Sequence, residues 1–329
     1  MIVPTRCVVI GTGGWGAAVA TMLHRQGVPT TLFGRDAAKV GQLADERIHH
    51  GLAGAALPRD LTMSADPACL LTADMVFWAV PTQHSRAVAK TLQVPSGIPV
   101  ISLSKGLEQE TLQTPTAILR ETWGERPMAV LSGPSHAEEV QQGKPVVLAC
   151  GGPDTVTHRV SELLHGRACR IYTSDDLIGI ELAGALKNVI AVAAGITEGL
   201  GLGDNIKAAL ITRGLAEIRR LGRCFGAHEA TFAGIAGIGD LMTTCYSPHG
   251  RNRAVGIAIA SGENPLAFIR RQKTVAEGAW TCRAAVVLAG QHAVELPIAA
   301  QVAAIIWDGV PLDHAISALF ARSPKDDHT

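Results

Sequence analysis

The sequence is poor in aromatic residues, which make up only 4% of its 329 positions. Its core must therefore be built from alanine, valine, leucine and isoleucine, and hydrophobic residues do reach 47%. It has no excess of charge of either sign, because Lys and Arg total 29 and Asp and Glu total 29. This balance gives no general reason to bind nucleic acid or an anionic membrane, so we expect neither as a partner. Positive potential for an anionic ligand has to be local.

Other common features are missing as well. The 7 cysteines are odd in number and contain no C-x-x-C pair, which is typical of reduced thiols in a cytosol. The N-terminus has no signal-peptide pattern. The longest apolar helical pattern is interrupted by Glu181 and Lys187, which argues against a membrane span. We find no internal repeat and no low-complexity tract, and we expect a cytoplasmic protein.

Two kinds of hydrophobic periodicity divide the chain. Up to about residue 175, short β-rich runs alternate with helical patterns, and from residue 177 the pattern is helical. The runs cover 7–10, 29–33, 75–80, 98–103, 128–131, 146–150 and 168–172. Such alternation is typical of a parallel, doubly wound sheet. We therefore predict an α/β fold in which a Rossmann-type sheet domain over 1–176 precedes an all-helical domain over 177–322, with a disordered tail over 323–329.

A glycine-rich motif, GTGGWG, follows the first predicted strand and precedes a helical pattern over 17–26. Gly11 makes the tight turn, Gly13 lets the backbone approach a pyrophosphate, and Gly16 lets helix and strand pack closely. The amides at the helix N-terminus then bind the phosphates. The motif by itself is weak evidence, since a glycine-rich turn is often only a turn. Its place between a strand and a helix predicts a dinucleotide site.

A lysine interrupts the apolar helix predicted over 181–196, ELAGALKNVIAVAAGI. At helical spacing Lys187 shares one face with small residues such as Gly184 and Ala191. Burying an unpaired ammonium group is costly, so this lysine needs a partner, a neutral form or an anionic ligand. A lysine that snorkels to the surface is the ordinary alternative. The neighbouring Asn188, and the small residues that leave room beside the lysine, favour a functional role.

Three loops follow predicted strands at the edge where open α/β sheets bind ligands. In VPTQH, His84 fits a surface or helix-cap residue better than a catalytic one. In SLSKG, Lys105 is well placed to meet an anion where Gly106 permits a sharp turn. In SGPSHAE, Ser135 and Glu138 have capping-box spacing, which predicts a helix start whose amides point at a ligand.

Two clusters in the helical half are candidate binding loops. GIAGIGD approaches a helix with Asp240 as its natural N-cap, and a role in orienting an ammonium group would be additional. SPHGRNR places Arg251 and Asn252 behind a glycine, which suits a dianionic phosphate because guanidinium binds oxyanions bidentately. A solvated basic loop is the alternative for this run. Glu277 alone indicates only another cap or a surface charge.

Taken together, these motifs resemble those of a known family. GTGGWG, SLSKGLE, SGPSHAEEV, ELAGALKNVIAVAAGI, GIGDLMTTC and HGRNR occur in the order and spacing of the bacterial NAD(P)-dependent glycerol-3-phosphate dehydrogenases, over residues 6–320. The resemblance implies a Rossmann domain joined to a helical substrate domain, with NAD(H) or NADP(H) as cofactor. It also implies reversible reduction of a phosphorylated triose, dihydroxyacetone phosphate, to sn-glycerol 3-phosphate for glycerophospholipid synthesis.

The resemblance carries the family's site residues onto this sequence. Lys187 takes the catalytic position, as general acid and base. The substrate-binding positions fall on Lys105, Gly133, Ser135, Lys187, Asn188, Asp240, Thr244, Gly250, Arg251 and Asn252. The cofactor-binding positions fall on Gly11, Gly13, Gly14, Trp15, Gly16, Arg35, Lys105, Ala137, Arg251, Val275 and Glu277. The reaction requires no metal, and no metal-ligand spacing is evident in the sequence.

Several positions depart from the family pattern or give a mixed signal. The family often has serine where this chain has Gly14 and Gly250, so backbone contacts replace hydroxyl contacts there. His136 replaces a frequent aromatic, and we expect it to pack. After the second strand Arg35 precedes Asp36, although NAD users place an acid there and NADP users an arginine. The resemblance favours Arg35 and hence use of NADPH, whereas a surface pair of the two residues is the alternative.

The chemistry sets an expectation for Lys187. In the reducing direction it acts as the protonated acid and needs no lowered pKa. In the oxidising direction it must be a base, and lowering the pKa of a lysine by three units costs roughly 4 kcal/mol. We therefore expect reduction to be favoured at neutral pH and oxidation to improve at alkaline pH.

Two other functions stay open on the sequence alone. A related reductase with the same domain plan, such as a ketopantoate reductase or a β-hydroxyacid dehydrogenase, would not need the loop HGRNR. A dinucleotide-binding sensor without catalysis would have no use for an ammonium group inside a helix. The small-residue helices over 178–222 are also consistent with burial against a second subunit, that is, with a homodimer.

Overall fold

The computed structural model describes residues 5–52, 54–248, 250–272 and 275–322, and the tail predicted over 323–329 lies outside them. The chain forms two compact units. The first consists of Met1–Ser104 with Pro115–Ile180, and the second of Lys105–Thr114 with Glu181–Thr329. The segment 105–114, which periodicity alone grouped with the sheet, therefore belongs with the helices. Its side chains form hydrogen bonds there, including one from Gln109 to the carbonyl of Trp280.

The first unit is a sheet with helices on both faces. In the described part of the chain the strands, β1 to β10, lie at Cys7–Ile10, Thr30–Phe33, Ile48–His49, Ala55–Ala56, Thr62–Ser64, Met75–Trp78, Val100–Ser102, Met128–Ser132, Val146–Gly151 and Cys169–Ser174. Its helices, α1 to α6, lie at Gly14–Arg25, Ala37–Glu46, Thr82–Ala89, Pro115–Trp123, Ala137–Gln141 and Asp154–Leu164. Eight strands form one sheet in the order β10-β9-β8-β7-β6-β1-β2-β5, and β3 pairs with β4 in a separate antiparallel ribbon.

Side-chain alternation explains why the central strands are uninterrupted apolar runs in the sequence. In β1, Cys7 and Val9 belong to one layer of the core, whereas Val8 and Ile10 belong to the other, and all four are buried. A parallel strand that is covered by helices on both faces has no solvent face, so polar residues do not alternate with apolar ones. The predicted Rossmann-type sheet is confirmed.

One strand pair departs from the predicted parallel sheet. β8 and β9 are antiparallel, with Leu131 opposite Cys150, so the prediction of an entirely parallel sheet is wrong at this pair. A parallel crossover usually needs a full-length helix packed over the sheet, and α5 between these strands has only 5 residues. β9 and β10, joined by the 11-residue α6, are parallel again.

The chain after β10 is helical, as predicted. Its helices, α7 to α15, lie at Leu177–Gly199, Gly203–Cys224, Glu229–Ala233, Asp240–Tyr246, Arg251–Ala260, Pro265–Arg271, Glu277–Gln291, Pro297–Trp307 and Leu312–Phe320. A π-helical segment with a kink at Gly237, Ile235–Gly239, directly precedes α10. No strand lies among the described residues after Ser174.

Helix α7 is the core of the helical unit, and its small residues control what packs against it. It is long and apolar enough to cross a membrane, yet 89% of its most apolar window is buried inside the fold. A Cβ added at Gly195 would lie 2.1 Å from the carbonyl oxygen of Arg253, and one added at Gly256 would lie 2.0 Å from that of Val192. Glycine at both positions therefore lets the backbones of α7 and α11 approach closely.

Candidate active site

The glycine-rich loop between β1 and α1 has the geometry of a dinucleotide site. Gly11 has a φ of 118°, and a Cβ there would lie 2.6 Å from the carbonyl oxygen of Ala79. A Cβ at Gly16 would lie 2.1 Å from the carbonyl oxygen of Gly11, so strand and helix pack as closely as predicted. Gly13 is the N-cap of α1, and nothing lies within 4 Å of a Cβ added there. The loop thus offers open backbone at a helix N-terminus, which suits phosphate oxygens.

An unpartnered donor in the same loop supports a bound cofactor. The indole Nε1 of Trp15 is buried from water and has no hydrogen-bond partner among the described residues. Such a group costs free energy unless a ligand supplies an acceptor. Together with the open space at Gly13, it shows that the residues present fit a dinucleotide.

Two further predicted cofactor positions meet beside this loop. A Cβ added at Gly14 would lie 2.7 Å from a methyl group of Leu52 and 3.8 Å from the Cβ of Ala137. The buried Leu52 therefore occupies the space that a serine side chain would need at position 14. Sequence patterns do not reveal this contact, because Leu52 belongs to a short turn with no motif of its own.

At the end of β2 the structure separates the two charged residues. The carboxylate of Asp36 caps α2 by accepting a hydrogen bond of 3.0 Å from the backbone N–H of Lys39. Arg35 is exposed and has no ion pair with the described residues. The surface pair between Arg35 and Asp36 is therefore wrong, and the guanidinium stays available for a ligand.

The loop after β8 forms its turn differently from the predicted capping box. Gly133 has a φ of 140°, and the hydroxyl of Ser135 donates a hydrogen bond of 2.8 Å to its carbonyl oxygen. The N-cap of α5 is His136, without a side-chain cap, so the capping box of Ser135 and Glu138 is wrong although a helix does start here. The serine hydroxyl is used by its own turn. His84, in α3, is exposed, as expected of a surface residue.

The predicted catalytic lysine lies in a buried, charged cluster of the helical unit. Lys187 is only 5% exposed, and its ammonium group donates hydrogen bonds to the carboxylate of Asp240 and, at 2.7 Å, to the hydroxyl of Thr244. Lys105 donates to the other oxygen of the same carboxylate at 2.8 Å. The surface-snorkelling alternative is wrong. With both lysines protonated, the cluster carries one net positive charge.

Asp240 serves this cluster instead of capping a helix. It is the first residue of α10, Gly239 takes the N-cap position, and no side chain caps that helix. The predicted N-cap role of Asp240 is therefore wrong. The hydroxyl of Thr244, one turn later, donates at 2.7 Å to the carbonyl oxygen of Asp240 while accepting from Lys187. One carboxylate oxygen of Asp240 and the hydroxyl of Thr244 thus accept from Lys187, and the other carboxylate oxygen accepts from Lys105.

Burial and charge set the proton affinities of the cluster. Burial lowers the pKa of Lys187 to about 7; the carboxylate of Asp240 opposes this shift and Lys105 adds to it. Burial raises the pKa of Asp240, but Lys105 and Lys187 outweigh that effect and keep it below its ordinary value. An ammonium group that titrates near neutrality beside an ionised carboxylate is suited to transfer protons at pH 7. The lowered pKa was not expected for the reducing direction.

A chain of amide hydrogen bonds starts beside the lysine. Asn252 in α11 donates at 2.9 Å to the side-chain oxygen of Asn188, and its own side-chain oxygen accepts at 2.9 Å from the backbone N–H of Gly278. A Cβ added at Gly278 would lie 2.3 Å from the carbonyl oxygen of Asn188, so only glycine fits. Sequence reasoning missed Gly278. Because Glu277 begins α13 one residue earlier, this chain links it with the residue next to Lys187.

The two arginines of the run HGRNR have different surroundings. Arg253 forms an ion pair with Glu198, which also pairs with Lys207 at 2.9 Å, so the carboxylate of Glu198 links α7 with α8 and α11. Arg251 is exposed, and its guanidinium has no ion pair or hydrogen bond with the described residues. Gly250 is the N-cap of α11 and Val275 lies just before α13. Of the two guanidinium groups, that of Arg251 is the one available to an anion.

Comparison with known proteins identifies the family of the chain. The family model for the N-terminus of NAD-dependent glycerol-3-phosphate dehydrogenase matches residues 6–156, and the model for its C-terminus matches residues 176–317. A glycerol-3-phosphate dehydrogenase (NAD(P)+) of Thermus thermophilus is 42% identical over 330 residues, which cover 98% of this chain and 100% of that protein. The chain belongs to the NAD-dependent glycerol-3-phosphate dehydrogenase family.

Other members of the family agree over the full length. A relative from Fusobacterium nucleatum is 39% identical and covers 96% of this chain and 97% of its own. The crystal structure of glycerol-3-phosphate dehydrogenase from Coxiella burnetii is 32% identical, with a TM-score of 0.92 over 97% of this chain and 99% of that one. The protein is thus an NAD(P)-dependent oxidoreductase of this family, which decides against the two other functions that the sequence left open.

Proposed function

We propose that this glycerol-3-phosphate dehydrogenase reduces dihydroxyacetone phosphate to sn-glycerol 3-phosphate with NADH or NADPH, reversibly, and so supplies the backbone of glycerophospholipids. The single observation that carries the proposal is the buried cluster in which Lys187 contacts Asp240 and Thr244. An ammonium group that is buried beside a carboxylate and a hydroxyl, with its pKa lowered to about 7, supports proton transfer to a substrate carbonyl that becomes an alkoxide.

Lys187 acts as the general acid in this proposal. When bound, the dinucleotide supplies the hydride that adds to the carbonyl carbon. As negative charge develops on the carbonyl oxygen, the ammonium group of Lys187 stabilises it and transfers one proton to it. The neutral amine then takes a proton from solvent, and the reverse reaction uses it as the base. Asp240 stays ionised and, with Thr244, keeps the amine in one orientation.

The substrate's phosphate provides the second recognition element. A dianion needs local positive charge, since the protein as a whole has none. Arg251, whose guanidinium has no ion pair with the described residues, and the net charge of the lysine cluster supply it. The remaining proposed substrate contacts come from Gly133, Ser135, Asn188, Gly250 and Asn252.

The test is an NAD(P)H oxidation assay with dihydroxyacetone phosphate, unphosphorylated dihydroxyacetone and a panel of other ketones. The phosphorylated triose should be preferred strongly. Arg251→Ala should lower kcat/KM for dihydroxyacetone phosphate about ten- to a hundredfold, because a charge-assisted hydrogen bond contributes roughly 1.5–3 kcal/mol. The unphosphorylated ketone should respond little.

Arg270→Ala is the matched control, because Arg270 is also an exposed arginine at the surface of the helical unit. It should leave both substrates unchanged. A loss of equal size on both substrates in Arg251→Ala would show that this residue does not recognise the phosphate. Preference for an unphosphorylated 2-oxo acid would overturn the proposed reaction itself.

A further inference from the structure

A buried histidine lies in the small ribbon beside the dinucleotide loop. The ribbon consists of β3 and β4, outside the main sheet. Its neighbours Ile48 and His50 are exposed, but His49 is only 6% exposed. Nothing in the sequence motifs involves this residue. Burial of a single imidazole in an otherwise exposed two-residue strand therefore calls for a specific contact.

That contact is with the dinucleotide loop itself. The Nε2 of His49 lies 3.0 Å from the carbonyl oxygen of Thr12, between Gly11 and Gly13. A carbonyl oxygen only accepts, so Nε2 carries the hydrogen and donates it. The Nδ1 of the same ring is buried and has no partner among the described residues. The imidazole is therefore held by the hydrogen bond from Nε2, while its buried Nδ1 accepts none from the described residues.

The planarity of the peptide bond determines what this hydrogen bond does. The carbonyl of Thr12 and the N–H of Gly13 belong to one peptide plane and point in opposite directions. When His49 holds the carbonyl on one side, the N–H of Gly13 is held toward the other. Because nothing lies within 4 Å of a Cβ added at Gly13, space for a phosphate is open at that residue.

Other contacts hold the ribbon in place. Leu52, in the turn between the two strands, packs beside Gly14. The carbonyl oxygen of Ala56 in β4 accepts a hydrogen bond of 2.6 Å from the side chain of Gln141, at the end of α5. The ribbon is thus attached both to the loop and to a neighbouring helix, so His49 has a fixed support.

We propose that His49 is a positioning residue for the cofactor, which orients the Gly13 amide toward the dinucleotide phosphates through the Thr12 carbonyl. The proposal rests on the family's dependence on NAD(P) and is independent of which ketone is reduced. It assigns a function to a residue that touches neither the substrate nor the catalytic lysine.

The experiment measures dinucleotide binding directly, by fluorescence titration of the full-length protein with NADPH and NADH without substrate. His49→Leu should weaken binding of both about tenfold, because one hydrogen bond that orients the loop is lost. His49→Gln should stay within about threefold of wild type, since its amide reaches the position of Nε2 and can donate. The exposed neighbour gives the matched control, and His50→Leu should bind as wild type does.

His49→Asn keeps the experiment decisive if the leucine variant does not fold. Its amide is polar but too short to reach the Thr12 carbonyl, so it should bind as weakly as the leucine variant is expected to. Equal affinities in the Asn and Gln variants, or wild-type affinity in a folded Leu variant, would overturn the proposal. The catalytic constant at saturating cofactor should change less than the dissociation constant, whereas a general loss of structure would lower the catalytic constant as strongly as it raises the dissociation constant.

Discussion

At the scale of single residues, Lys187 combines two properties that are rarely found together. It is almost fully buried, and its amine can still be protonated because the carboxylate of Asp240 accepts its hydrogen bond. The sequence predicted the lysine and its small neighbours. It did not predict that Asp240 is shared with Lys105, which lies 135 residues earlier in the chain. The second ammonium group helps to bring the pKa of Lys187 down to about 7.

The pH dependence of the two reaction directions should follow from that pKa. Reduction needs the protonated amine, so its kcat/KM should fall about tenfold per pH unit above pH 7. Oxidation needs the neutral amine, so its kcat/KM should rise up to about pH 7 and then level off, which replaces the improvement at alkaline pH expected from a lysine of ordinary pKa. Steady-state rates between pH 5.5 and 9.5 check this.

Lys187→Met provides the control for the pH profile. It fills the same space without an ionisable group, so turnover should be lost while NADPH still binds. A variant with near-normal kcat, or a wild-type profile that is flat through pH 7, would remove Lys187 from the mechanism.

Arg35 should determine whether NADPH is used well. Asp36 is occupied as the N-cap of α2, which leaves the guanidinium free for a 2′-phosphate. Arg35→Ala should lower kcat/KM for NADPH about ten- to a hundredfold, given about 1.5–3 kcal/mol for such a contact, and change that for NADH little. Kinetics with both cofactors measure the ratio. An unchanged ratio would place cofactor preference elsewhere in the fold.

At the scale of secondary-structure elements, contacts between helices bring the site residues together. The small face of α7 was visible in the sequence as a space beside Lys187. In the structure, backbone fills part of that space, because Gly195 and Gly256 let α11 approach α7. Asn252 thereby reaches Asn188. Sequence spacing predicts which helix face is small, but the partner of that face is chosen by packing.

Gly256→Ala should therefore lower the stability of the helical unit. The added Cβ would lie 2.0 Å from a backbone carbonyl oxygen, so the helices must separate. We expect a loss of about 1–3 kcal/mol in the free energy of unfolding, as is usual for overpacking. Denaturant unfolding measures it.

Gly290→Ala is the matched control for that experiment, since Gly290 also lies in a helix and nothing stands within 4 Å of its added Cβ. It should stabilise the protein by about 0.5–1 kcal/mol through helix propensity. Similar effects of both substitutions would argue against a close helix contact at Gly256.

At the scale of the whole molecule, two buried ionisable groups, Glu217 and Lys187, destabilise the folded state when they are charged. Their effects on stability change over different pH ranges. Burial raises the pKa of Glu217 to about 7, although the backbone N–H groups of Ile298 and Ala299 donate to its carboxylate and oppose the shift. The folded state therefore binds more protons than the unfolded state between pH 4.5 and 7, and stability falls as pH rises through that range. For Lys187 the lowered pKa makes stability rise between pH 7 and 10.5.

Glu217→Gln should reveal the acidic side of this balance. Its amide oxygen still accepts from the start of α14, but it does not ionise. Between pH 5 and 7 the wild type should lose stability relative to the variant, by about 2 kcal/mol for a shift of this size. Thermal unfolding of both proteins across this range measures the difference. Parallel curves would show that Glu217 has no raised pKa.

The homodimer expected from the small-residue helices stays a prediction, which analytical ultracentrifugation tests.

The sequence by itself determined the two-part organisation of the chain, most of its elements and its resemblance to the family. Apolar runs predicted the longer strands but not β3, β4 or β5, glycine spacing predicted the dinucleotide loop, and one lysine among small residues predicted the helix of the proposed catalytic group. Each of these signals is carried by residues close together in the chain. Only the tertiary structure decided the antiparallel pairing of β8 with β9, the hydrogen bonds from two lysines to Asp240, and the contact of His49 with Thr12. These depend on which distant segments meet. Burial free energy and close packing select such partners over the whole fold, and no local pattern records that selection.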